Sequence, residues 1–245
     1  MLRIITITLT LGVLMGACRP ANDPQKIIDQ VIQNHGGDRY ENVRISFDFR
    51  GRHYVMLHQN GFFQYERHFS DSAGQIKDVL SNHGFKRYLN DHDITDTVKK
   101  AAAYARSVNS VAYFALLPYR LNDPAVNKTY LGTGEIKDEL YHKILITFNQ
   151  EQGGDDYSDQ FVYWIHAKDM TMEYLAYSYH TDGGGKRFRA PINVRIVGGI
   201  RFADYDNYQQ VDDSVKLEDY HKEYNQGSLK LLSKIALENL HVQTP

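Results

Sequence analysis

The chain has 245 residues, 42% of them hydrophobic, and 28 Lys+Arg stand against 30 Asp+Glu for a formal net charge of −2 with histidine neutral. With no basic excess, basic patch or run of like charge, the sequence gives no footprint for nucleic acid. A single cysteine leaves no disulfide framework and no cysteine-rich zinc site.

Met1 to Arg3 form a short basic start, Ile4 to about Met15 an apolar run, and Leu14-Met15-Gly16-Ala17-Cys18 ends that run on small residues ahead of the cysteine. This is the pattern of a bacterial lipoprotein signal, with residues 1–17 removed and Cys18 as the lipid attachment site. The apolar run is too short to span a bilayer, and no later stretch approaches 18 apolar residues. The membrane partner is therefore expected through the N-terminal lipid alone, with two or more acyl chains holding stably where one does not. Arg19 rather than Asp follows Cys18, which leaves delivery to the outer membrane, facing the periplasm, as the expected location. With Cys18 acylated, no thiol remains for catalysis.

Residues 18–23 are expected to be a tether and 24–245 a single domain. Asp23-Pro24 places an N-cap ahead of a first-turn proline. Ile27, Ile28, Val31 and Ile32 then recur at helical spacing before His35-Gly36-Gly37, so the spacing predicts an amphipathic helix packed on a sheet. From Val43 the period becomes two: Val43, Ile45, Phe47 and Phe49 share one face. Gln59-Asn60-Gly61 predicts a turn into an alternating strand from Phe62, and Asn82-His83-Gly84 a hairpin between Ile76 to Ser81 and Phe85 to Leu89. A second helix is expected between about Thr97 and Leu117, its half from Val108 onward apolar and buried, ended by Pro118.

A second strand series follows over about Tyr130 to Lys137, Tyr141 to Gln150, Phe161 to His166, Met172 to His180, Arg195 to Val197 and Ile200 to Tyr208. A short helix from Leu217 to Asn225 and one last strand near Lys234 to Val242 complete the chain. Strand runs with few helices and no βαβ alternation predict an α+β, mainly β fold: one curved antiparallel sheet with helices on one face. Division into two domains would fall near Asn122 to Lys128, a stretch too short for a flexible linker.

Ser46-Phe47-Asp48-Phe49-Arg50, Ser107-Val108-Asn109-Ser110-Val111, Phe114-Ala115-Leu116-Leu117-Pro118-Tyr119, Phe161-Val162-Tyr163-Trp164-Ile165-His166 and Tyr174-Leu175-Ala176-Tyr177-Ser178-Tyr179 together resemble an uncharacterised family of bacterial envelope lipoproteins. That family is placed with the lipoprotein-localisation (LolA/LolB/LppX-like) fold. The resemblance implies a half-barrel whose concave face is closed by helices and holds acyl chains, with the second helix as its lid. Members sometimes carry an aldolase label, but a barrel aldolase needs repeated strand-helix units and a desolvated lysine at a strand end, and neither is visible.

No hydrolase, phosphate-loop or metalloprotease motif is present, and no catalytic residue, metal ligand or cofactor is assigned. Asp155-Asp156-x-x-Asp159 could gather oxygen ligands for calcium, although the spacing matches no known loop and a solvated loop is the plainer account. His53, His58 and His68 could approach one another if the first long strands pair. On the Phe161 to His166 strand, Val162, Trp164 and His166 share one face and Phe161, Tyr163 and Ile165 the other. Trp164, His166, Tyr177, Tyr179, Phe114 and Leu117 are the candidate ligand-binding residues. The 18 tyrosines suit a wide, partly wet sheet face. The function expected is a non-catalytic, membrane-anchored lipoprotein that binds or carries a lipid or acyl chain. The alternatives are an accessory or scaffold lipoprotein acting through surface contacts, and a hydrolase with a dispersed site.

Overall fold

A computed structural model describes residues 22–149, 158–180, 183–210, 212 and 214–244. Cys18 and the Asp155-Asp156 part of the acidic motif lie outside the described residues. Among those described, no helix is long and apolar enough to cross a membrane.

The first helix, α1 (Pro24–His35), starts where expected: the Asp23 carboxylate caps it by accepting the Gln25 N–H at 3.0 Å. It ends at Gly36, which adopts φ +154° and where a β-carbon would stand only 3.0 Å from the Ile200 side chain. Six strands follow: β1 (Asn42–Phe49), β2 (Arg52–Gln59), β3 (Phe62–Asp71), β4 (Gly74–Ser81), β5 (Gly84–Leu89) and β6 (His92–Asp93). The second helix, α2 (Ala101–Ala115), leads into β7 (Val126–Ile136), β8 (Glu139–Phe148), β9 (Gln160–His166), β10 (Met172–Tyr179), β11 (Gly185–Val197) and β12 (Ile200–Gln209). After α3 (Tyr220–Asn225) come β13 (Lys230–Ile235) and β14 (Glu238–Gln243).

The architecture is the expected α+β, mainly β half-barrel, its strands divided between two antiparallel sheets. Each has seven strands, in the orders β14-β1-β2-β3-β4-β5-β6 and β13-β12-β11-β10-β9-β8-β7, and neither closes into a barrel. The single last strand expected from Lys234 to Val242 is in fact two. β13 pairs with β12 in the second sheet, and β14 pairs with β1 in the first. Between them Leu237 is held on both sides. Its N–H donates to Asp204 Oδ1 at 3.0 Å, and its carbonyl accepts from Arg195 Nη2 at 2.8 Å.

Two other boundaries differ from expectation. β11 begins at Gly185, ten residues earlier than the Arg195 start, because the charged run Lys186-Arg187-Phe188-Arg189 hides its alternation. The helix expected over Leu217 to Asn225 is a 3-10 turn at Leu217–Asp219 followed by α3.

The core lies in three layers. Ile28 and Val31 of α1 pack on Ile144, Tyr163, Ile165 and Leu175 of the second sheet. Val108, Ala112 and Leu116 of the α2 region pack on Val43, Ile45, Phe47 and Met56 of the first. The outer face of the second sheet, with Trp164, Tyr174 and Phe188, is covered by Tyr220 of α3. Burying such side chains contributes on the order of 1.5–3 kcal/mol each.

α2 rests on β3, β4 and β5, and polar contacts fix it there. Asp78, fully buried, accepts from Arg67 Nε at 2.9 Å and Nη2 at 2.6 Å, and from Arg87 Nε at 2.6 Å and Nη2 at 2.9 Å. The arginines then reach the helix: Arg67 Nη1 donates to Ser107 Oγ at 2.7 Å, and the Arg87 guanidinium lies 3.5 Å from the centre of the Tyr104 ring. The apolar half of α2 is not uniformly buried, since Val111, Tyr113 and Phe114 are only half-buried. They border a cavity.

Candidate ligand cavity

The C-terminal end of α2 lies over the second sheet without filling the space beneath it. A cavity of about 550 Å³ remains between the helix, the second sheet and the Leu237 crossing, within the roughly 300–1,000 Å³ span of small-ligand sites. Its floor is aromatic: Phe161 stacks on Tyr177 with centroids 5.6 Å apart, and Phe148 meets Phe161 edge-on at 5.9 Å. Its roof is Tyr113 and Phe114. The Phe114 ring lies 5.5 Å from that of Tyr177, and the Tyr113 ring 5.8 Å from that of Phe161.

Polar side chains share this lining with the rings, among them Arg106, Asn109, Ser110, Arg120, Asp159 and Arg189. Arg189, on β11, is 8% exposed; its Nη2 donates to the Tyr177 hydroxyl at 3.0 Å and its guanidinium stands 4.1 Å from the centre of the Phe114 ring. Arg120 donates through Nε to Asp123. Burial pushes the Tyr113 hydroxyl well above the ordinary tyrosine value and Tyr205 up to about 12, so both stay neutral donors.

Of the sequence-derived candidates, Phe114, Tyr177 and Tyr179 line this cavity together. Leu117 instead borders a small neighbouring void with His35 and Met172. Trp164 and His166 are elsewhere. Alternation along β9 sends Phe161 and Tyr163 to the cavity side and Trp164 to the opposite face, where it meets Phe188 edge-on at 5.6 Å. His166 is the last residue of β9, with Asp169 Oδ2 at 3.0 Å from its Nδ1 and Glu139 Oε2 at 3.4 Å from its Nε2. It is a satisfied wall histidine.

His53 and His68 do face each other across β2 and β3, with ring centroids 6.0 Å apart, each bonded to its own carboxylate at 2.7 Å, Asp48 and Glu66 respectively. His58 lies on the other face, bonded to the Tyr40 carbonyl and the Tyr65 hydroxyl. Among the described residues, no group of three or more His, Cys, Asp or Glu is placed to hold a metal ion. Many tyrosines turn inward: Tyr40, Tyr54, Tyr65, Tyr141, Tyr163, Tyr174 and Tyr220 are all buried.

Sequence reasoning missed Arg189, Phe148, Phe161 and Tyr205 as lining. Phe148 and Phe161 lay in recognised strands, and β9's two faces could not be told apart without knowing which one α1 covers. Arg189 was lost with the misplaced start of β11.

Residues 5–238 match the model of a protein family described as "Family of unknown function (DUF6503)". The chain belongs to that family. No curated protein matches it in sequence. Among solved structures it is similar to a LolA superfamily protein from Nitrosomonas europaea, at 10% identity and a TM-score of 0.45 over 78% of this chain and 87% of that one. It is also similar to a DUF1329 family protein from Desulfovibrio piger, at 10% identity and a TM-score of 0.41 over 89% and 93% of the two chains. The Mycobacterium tuberculosis lipoprotein LppX matches at 12% identity and a TM-score of 0.29 over 66% and 91%. Likeness at this level carries no functional weight.

Proposed function

We propose that this DUF6503 member is an envelope lipoprotein, anchored through Cys18 and facing the periplasm from the outer membrane, that binds or carries one acyl-chain-sized ligand without chemical conversion. The observation that carries the reading is the aromatic cavity of about 550 Å³ under the end of α2. An apolar tail placed there leaves water, and each buried methylene contributes about 0.8 kcal/mol. The anchoring half of the reading is supported by the run ending at Leu14-Met15-Gly16-Ala17-Cys18.

The attachments of α2 determine how such a site opens. Ser107 and Tyr104 tie the helix to Arg67 and Arg87 of the first sheet, whereas Tyr113 and Phe114 touch the second sheet through ring contacts and one long hydroxyl contact, Tyr113 to Tyr163 at 3.4 Å. The helix therefore travels with the first sheet, and entry is by parting the Tyr113 and Phe114 rings from Phe148, Phe161 and Tyr177.

Native mass spectrometry of the full chain, purified without detergent, is expected to show a copurified amphiphile. Ala203→Trp, which places an indole in the cavity lining, is expected to abolish that mass while preserving the thermal midpoint. A ligand-free wild type that takes up no added amphiphile would overturn the reading. Labelled palmitate should enter the wild type and not Cys18→Ser, and equal labelling would refute the anchor.

A further inference from the structure

We propose that the ligand carries an anionic head, and that Arg189 is the residue that recognises it. The inference rests on the cavity being a ligand site, and it specifies the chemistry of what enters.

Arg189 sits in the lining with the residue only 8% exposed, yet it forms no salt bridge with a described residue, and its buried Nε has no hydrogen-bond partner among them. Its only polar contact among them is the donation from Nη2 to Tyr177. A buried guanidinium is costly unless a counter-charge and acceptors meet it. The Phe114 and Tyr177 rings, with centres 4.1 and 5.1 Å from the guanidinium carbon, attract the cation through their faces but offer it no counter-charge.

The other charges in the described lining are engaged or exposed: Arg106 and Asp159 have interaction partners of their own, and Arg50 is exposed. Arg120 is already paired with Asp123, and Arg189 remains as the deep cation with donor capacity left. Its planar fork suits the two oxygens of a carboxylate or of a phosphate monoester. An aromatic hollow of this size with one such cation fits a single-tailed amphiphile bearing an anionic head.

The test uses delipidated full-length protein and equilibrium dialysis with palmitate, monohexadecyl phosphate and methyl palmitate, measured separately. On the wild type, at least one of the two anions is expected to bind about tenfold or more tightly than the uncharged ester, the scale of one charge-assisted hydrogen-bonded contact. Arg189→Met should erase that preference while leaving methyl palmitate within about twofold, and Arg189→Lys should retain part of it. Methyl palmitate binding also reports that the variants are folded, and Arg189→Gln gives the same comparison should the methionine variant fail to fold. The tighter of palmitate and hexadecyl phosphate identifies the head as carboxylate or phosphate. If methyl palmitate matches the anions on the wild type, or if Arg189→Met keeps the full preference, the inference is overturned and the cavity reading stands. If none of the three amphiphiles binds, both are overturned.

Discussion

His35, at the last turn of α1, should make the stability of this protein fall steeply below neutral pH. It is 3% exposed, and its Nε2 accepts the Met172 backbone N–H at 3.0 Å, which requires an unprotonated nitrogen. Burial, reinforced by Arg201, lowers its pKa from 6.5 to about 3. The unfolded chain takes up the proton through pH 6.5 while the folded chain refuses it until about pH 3. Stability is therefore complete above the unfolded value and is lost as pH falls between the two. Linkage puts the loss from this one residue at about 1 kcal/mol at pH 6 and about 2 kcal/mol at pH 5. Urea unfolding at pH 7, 6 and 5 measures it, with His35→Gln as the comparison because a glutamine oxygen can also accept from Met172 N–H without titrating. His221, with a pKa held near 4 by burial and by Lys143 and Lys222, and the carboxylates act in both proteins and cancel. The wild type should lose about 2 kcal/mol more than His35→Gln from pH 7 to pH 5. Parallel stability curves for the two proteins would show that His35 is not held neutral.

Asp78→Ala leaves Arg67 and Arg87 buried without their shared carboxylate and should cost about 3–5 kcal/mol in urea unfolding; a loss below about 1 kcal/mol would mean that the arginines find water instead. Ser107→Ala removes the acceptor that ties α2 to Arg67 and should cost about 1–2 kcal/mol, with faster amide exchange confined to that helix as the distinguishing signature. Gly198→Ala places a side chain at φ +58° and within 2.5 Å of Val242, so a cost of about 1–2 kcal/mol is expected by thermal unfolding; an unchanged midpoint would show that β14 shifts freely.

Local signals account for most of the fold's legibility. Asp23-Pro24 and Gly36 bound α1 to the residue, and the turns at Asn60-Gly61 and Asn82 to Gly84 place the first meander because hairpin chemistry is written in neighbouring residues. What escaped was set by distant partners. Lys186 to Arg189 looks like a charged loop until the opposite faces are known: Phe188 is covered by the α3 side of the sheet, while Arg189 projects into the hollow. Trp164 and His166 share a face with each other but not with Tyr177, and only the position of α1 decides which face is concave. The split of the last strand at Ala236-Leu237 leaves no glycine or proline mark, since the bend is held by Arg195 of β11 and Asp204 of β12.

Because the final fourteen-residue stretch from Lys230 to Gln243 stitches one sheet to the other, neither can be completed until the tail arrives. Asn239 must find Asp48 across 191 positions of sequence, a long search that places this molecule among slow folders. For a chain synthesised from its N-terminus onward, such a clasp delays closure of both sheets until β14 has emerged. Deleting residues 230–245 should accordingly leave an open, protease-sensitive chain rather than a smaller native one.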